Sequence, residues 1–250
     1  MKTLVITGVK LILLMLLAIQ SVAAPLRVVI FELPPLEYKE QGALKGAAVD
    51  IVTEVFSRMK QPIRLELYPF ARALKMVKEG DADAIFAIVK KPERERYLDF
   101  PSEVLIEQTA SMFARKNTPI QFDGNFRKLS AYRFGILIGA TYGPQWDEAV
   151  QTGIISKIEA VPDYRQNVLK LVNDRVDIII GPRLPMLYAI EKLGQQGAVK
   201  ELSPSIEIVP TYLAFSKTRV APDIKAQFER ILKDLKEDGT YDKIIQRYIQ

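Results

Sequence analysis

The chain has 250 residues, a formal charge of +5, and neither cysteine nor histidine. That excludes disulfides, thiolate chemistry, Ser–His and Cys–His nucleophile pairs and histidine-ligated zinc, and leaves Asp, Glu, Lys and Tyr as the acid–base repertoire. Basic residues are spread along the chain without runs interleaved with aromatics, which argues against nucleic acid as a partner.

Residues 1–23 read as a cleavable signal peptide. Lys2 and Lys10 flank the apolar run Leu11 to Ile19, and Ser21 and Ala23 fill the small-residue slots before a cut after Ala23. Without Lys2 and Lys10 the chain keeps 33 basic and 30 acidic residues, a net +3. No cysteine follows the signal, so no lipid anchor is expected, and the mature protein should diffuse freely in the periplasm. It should be held by its core alone, which a chain this long can supply.

Next, LRVVIF (26–31) predicts a first strand, and ELPPLEYKEQGALKG a loop with paired prolines and glycines. Val49, Val52, Val55, Phe56 and Met59 recur at helical spacing. Ile63 to Tyr68 alternates like a strand, Ala71 to Glu79 returns to helix, and Asp83 to Val89 is an apolar run typical of a buried parallel strand. In the second half, Arg133 to Ile138 predicts a strand, Gly139 a turn, and Tyr142 to Val150 a helix. Val168, Leu171 and Val172 mark another helix face, and Asp177 to Ile180 another buried strand. The phrases EGDADAIF (79–86) and NDRVDIII (173–180) share a polar turn, an Asp and a strand, which suggests two similar lobes. The tail is helical, with Ile224, Phe228, Ile231, Leu232 and Leu235 on one face, a break at Asp238-Gly239, and a short helix carrying Tyr241, Ile244, Ile245 and Tyr248. Strands alternating with helices predict an α/β protein with a mostly parallel sheet.

Four stretches, in order, resemble solute-binding proteins of the polar amino acid ABC transporter type, family 3: PPLEYKEQGALKGAAVDIVTEVFSRM, EGDADAIF with PERERYLDFPSEVL, FGILIGATYG, and EDGTYDKIIQRY. The resemblance covers nearly the whole mature chain. It implies a two-lobed periplasmic binding protein fold (type II), each lobe a mostly parallel sheet flanked by helices, joined by two crossover strands. The implied lobes are 24–106 plus 210–250, and 107–209, with ligand held in the cleft by hinge closure.

Arg94, six residues before Phe100, stands at the spacing of the family's carboxylate-binding arginine. A guanidinium is always charged and offers a rigid fork of donors. Lys90, Lys91, Glu95 and Arg96 read as a solvated charge run. Thr141, before a helix, is read both as an N-cap and as the residue that shares the carboxylate with Arg94. Phe70 lies where the family has an apolar wall, Tyr68 is near it, and Phe31, Leu33 or Tyr38 would form the opposite side; for any single aromatic, core packing is the competing explanation. Arg72 reads as an exposed helix residue or a second cation in the cleft.

Two departures bear on the solute. Ala87 and Val89 replace the hydroxyl residues usual before the arginine. Pro182, with Arg183 beside it, stands where the family's aspartate receives the ligand's α-amino group. An amine would then need another acid, such as Glu32 or Glu37. Without an amine, Arg94 and Arg183 would suit a dicarboxylate or another anion. The expected function is a non-catalytic, monomeric periplasmic protein that delivers an amino acid or related carboxylate to an ABC transporter permease, with no cofactor or metal. The alternatives are a dehydratase-like enzyme and a ligand-binding sensor module on the same fold.

Overall fold

The computed structural model describes residues 24–248. Residues 1–23, expected to be a signal peptide, lie outside the described residues. Leu26–Ile30 forms β1, in which Val28, Val29 and Ile30 are fully buried. The loop after it contains an antiparallel hairpin, β2 (Tyr38–Glu40) and β3 (Ala43–Lys45). Gly46 turns the hairpin into α1 (Ala47–Arg58) with φ 129°, and a Cβ there would collide with the Leu36 carbonyl oxygen. Only glycine fits both demands. Then come β4 (Ile63–Leu67), α2 (Phe70–Glu79) and β5 (Ala84–Val89). β1 pairs in parallel with β4 on one side and β5 on the other, which completes a βαβαβ unit.

A one-turn helix, α3 (Pro92–Glu95), and the short β6 (Leu98–Asp99) lead into β7 (Ile106–Arg115). A second βαβαβ unit follows: β8 (Phe134–Leu137), α4 (Pro144–Gln151), β9 (Ile158–Val161), α5 (Tyr164–Val172) and β10 (Ile178–Pro182). β8 lies between β9 and β10, parallel to both, as β1 lies between β4 and β5. The chain ends with α6 (Arg183–Lys192), the long β11 (Val199–Ser216), α7 (Pro222–Glu237) and α8 (Thr240–Tyr248).

The sheet order is β4-β1-β5-β11-β7-β10-β8-β9, with β6 pairing on β11. β7 and β11 run antiparallel to each other and to the units they join. This is the expected two-lobed α/β architecture with two crossing strands. The hairpin stands where the family resemblance implied one, whereas β9, α6 and the full extent of β7 and β11 had no sequence counterpart.

The repeated phrase has the same job in both units. Asp83 Oδ2 accepts from the Arg27 backbone N–H at 2.7 Å, and Asp177 Oδ2 from that of Arg133 at 2.8 Å. Each carboxylate therefore ties the approach to a unit's third strand to the start of its first. Period-two alternation sorts the core of the second unit. Ile178 and Ile180 join Met112, Phe134 and Trp146 on one face, while Ile179 joins Phe113, Val168 and Met186 on the other.

Candidate functional site

The C-terminal ends of β1, β5, β8 and β10 converge on one cavity. Crevices beyond the carboxyl ends of parallel strands are where such sheets hold ligands. Its floor is the crossing pair, with Gln108 and Ala110 from β7 and Val209 and Thr211 from β11. One side carries Phe31, Leu33, Phe70, Ala87, Val89 and Arg94, and the other Leu137, Ala140, Thr141, Tyr142, Tyr164 and Pro182.

Arg94 is 4% exposed. Its Nη1 donates to the Val89 carbonyl at 2.7 Å and its Nη2 to the Gly139 carbonyl at 3.1 Å, so it bonds to both units. Its guanidinium carbon lies 5.7 Å from the centre of the Phe70 ring, a cation–π contact. Among the described residues it has no carboxylate within ion-pair distance. Desolvation pulls its pKa below the usual arginine value, partly offset by Tyr97, Glu93 and Asp147. A guanidinium starts so high that it stays charged.

The backbone is bent to bring this about. The β5–β11 register shifts between Tyr212 and Ala214, and Ala87 at the irregularity has φ 56°. This left-handed residue inside a strand is a bulge that redirects the strand end and leaves the Val89 carbonyl facing Arg94. Across the cleft, Gly139 at φ 76° makes the tight turn that presents its own carbonyl.

Thr141 is buried in the lining but is not the N-cap of α4, which is Gly143. Its hydroxyl donates to Asp147 Oδ1 at 2.6 Å. Asp147 also pairs with Lys91 at 3.0 Å, so an ion pair links the two units at the cleft mouth. Phe70 packs on Phe31 with ring centres 4.7 Å apart. Tyr142 accepts from the Leu137 N–H at 2.8 Å. Burial holds the phenols of Tyr142 and Tyr164 above the usual tyrosine range, so both are neutral.

Six residues weighed for the site lie elsewhere, among them Tyr38, which packs against Tyr188 with ring centres 6.1 Å apart. The Tyr68 hydroxyl is held by Glu66 at 2.8 Å and Arg27 at 3.2 Å, and Arg72 stacks on its outer face at 4.8 Å. Arg183 turns outward, its Nε at 3.0 Å from both carboxylate oxygens of Glu201. Glu32 points outward because alternation sends its neighbours Phe31 and Leu33 inward. Glu37 is fully buried outside the lining; its Oε1 receives only a 3.5 Å contact from the Phe31 N–H and its Oε2 has no partner. Desolvation pushes its carboxyl well above the ordinary range, so it is neutral. Gln108, Tyr142, Tyr164 and Thr211 were not singled out from the sequence. The rule that ligands gather beyond strand ends would have pointed to Tyr142 and Tyr164, each of which follows a second-unit strand.

A family model described as bacterial extracellular solute-binding proteins, family 3, matches residues 26–250. The L-cystine-binding protein TcyA of Bacillus subtilis (strain 168) is 23% identical over 211 residues, covering 84% of this chain and 74% of its own. An ancestral arginine-binding protein bound to arginine superposes with a TM-score of 0.79 at 20% identity, covering 92% of this chain and all of that one. A histidine kinase sensor domain with similarity to periplasmic binding proteins superposes with a TM-score of 0.81 at 18% identity, over 92% and 98% of the two chains. At such identities these superpositions establish the fold.

Proposed function

The chain belongs to the bacterial extracellular solute-binding proteins of family 3, and from that membership we propose that it is a periplasmic receptor. It captures a small solute, an amino acid or related carboxylate, between its lobes and hands it to an ABC transporter permease. The observation that carries this reading is the buried, carboxylate-free guanidinium of Arg94 at a cavity built from both units. A charge held out of water without a counter-ion is costly, and an acid group from a solute would relieve that cost. The named specificity of the relative, for L-cystine, supports a solute of this size class. The division into lobes 24–106 plus 210–250, and 107–209, places the hinge on the crossing strands. The segment 1–23 serves export, and the mature protein works as a monomer.

Holding rather than transforming a solute is favoured by the lining, whose only ionisable groups are Arg94 and two neutral phenols. Among the described residues no carboxyl lines the cavity to supply the acid–base pair that a dehydration needs. The test is a thermal-shift screen of the purified protein over amino acids, polyamines and organic acids. A carboxylate ligand is expected to raise Tm, because it binds only the folded state, and Arg94→Gln is expected to abolish the shift. A screen in which only polyamines raise Tm, or in which Arg94→Gln keeps the full response, contradicts the reading.

A further inference from the structure

Resting on that reading, we infer that the cavity selects a monocarboxylate that carries no amino group, in preference to an α-amino acid. Charge balance favours such a solute. Arg94 is the one charged side chain in the lining, and a monoanion brings the buried site to neutrality. A zwitterion also supplies a carboxylate, but it brings an ammonium that must find its own counter-charge or remain unpaired out of water.

Of the acids around the cleft, Glu32 points outward, Glu107 lines a separate crevice beside Arg183, and the others are occupied or neutral. Asp147 already takes the Thr141 hydroxyl and the Lys91 ammonium. Glu201 is bound by Arg183 on the outer surface. Glu37 sits outside the lining and stays protonated by burial. Pro182, at the end of β10 in the lining, has no acceptor on its side chain.

What remains is neutral. Gln108 turns its Nε2 toward Thr211 Oγ1 at 3.5 Å, and Thr211 in turn donates to the Ile106 carbonyl at 2.7 Å. That chain sets the amide so that Oε1 is the end left unpartnered. The unpartnered Gln108 Oε1, an acceptor, suits a solute hydroxyl, while Phe31, Leu33 and Phe70 receive its apolar body. The outward Arg183 removes the second cation that a dicarboxylate would need.

The test is calorimetric titration of the purified protein with matched sets that share a skeleton. One set is L-phenylalanine, phenyllactate and 3-phenylpropanoate, and another is L-leucine, 2-hydroxy-4-methylpentanoate and 4-methylpentanoate. A wider panel of amino acids and short monocarboxylates accompanies them. The amine-free members are expected to bind at least tenfold more tightly than their amino acids, and Pro182→Asp is expected to narrow or reverse that ratio. Amino acids that bind as tightly as, or more tightly than, their amine-free partners overturn the inference while leaving the capture function intact. If neither series binds, the inference and the capture reading fall together.

Discussion

The two βαβαβ units share a strand order and a tethering aspartate but treat their arginines in opposite ways. In the first, the end of β5 leads into a one-turn helix that turns Arg94 into the cleft, where two backbone carbonyls and an aromatic face receive it. In the second, the end of β10 runs straight into α6, whose first residue, Arg183, faces Glu201 and water. A cation at a helix start opposes the helix dipole, and the Glu201 carboxylate offsets this. The scaffold therefore fixes where a strand ends, while a bulge or a neighbouring acid decides where the next side chain goes.

The sharpest way to break this contrast is at Arg94. Arg94→Gln is expected to weaken carboxylate binding by about 100-fold or more, on the order of 3 kcal/mol, as for other charge-assisted pairs. Tm without ligand should stay level or rise, since removing an unpaired buried charge removes its desolvation cost. Calorimetry and thermal melts read the two effects separately, and a large fall in Tm would show that Arg94 mainly supports the fold.

The shared tether comes next. Asp83→Ala and Asp177→Ala should each cost roughly 1–3 kcal/mol in urea unfolding, because each strips a backbone N–H of its acceptor. The Arg133 guanidinium holds the Asp177 carboxyl below its ordinary range. Its contribution is complete above the ordinary carboxylate pKa and is lost as pH falls through the folded value. The Asp177→Ala penalty should thus be full at neutral pH and shrink below about pH 4. A penalty that does not change with pH would contradict the pairing.

Glu37 behaves in the reverse sense, being held protonated in the folded state and free to ionise when unfolded. Its effect on stability worsens as pH rises from the ordinary carboxylate value toward the raised one. Glu37→Gln cannot ionise, so the Tm of the variant relative to wild type should climb as pH rises above the ordinary carboxylate pKa of about 4.3. The smallest effect is expected at Arg183, where Arg183→Ala should change solute affinity by about twofold or less, because the side chain is outside the cavity and its exposed pair is screened. A tenfold loss there would put Arg183 back in the cleft.

The helices and parallel strands were legible because their periods are clean: Val49, Val52, Val55 and Phe56 all face the core. The crossing strands were implied by the family resemblance but not visible as a period. β11 contains Pro204 and Pro210, and its pairing with β7 shifts register between Leu202 and Glu207. Proline normally demotes a strand, and here tertiary pairing overrides it. α6 was hidden by Pro185, which stands in its first turn. In the site, the inward turn of Arg94 was legible from its place in a motif. The outward turns of Tyr68 and Arg183 were not, since each depends on an acid that the local sequence does not identify: Glu66 acting with Arg27, and Glu201 on β11.

The Lys91–Asp147 pair and the Gly139 carbonyl on Arg94 act together as a latch across the mouth. Solute passing through this mouth would have to part the same contacts in both directions, so arrival and departure rates are expected to rise together when the latch is loosened. Added salt screens the half-exposed Lys91–Asp147 contact, hastening both directions while shifting their ratio little. Solute residence would then depend partly on Lys91 and Asp147, which lie outside the cavity lining.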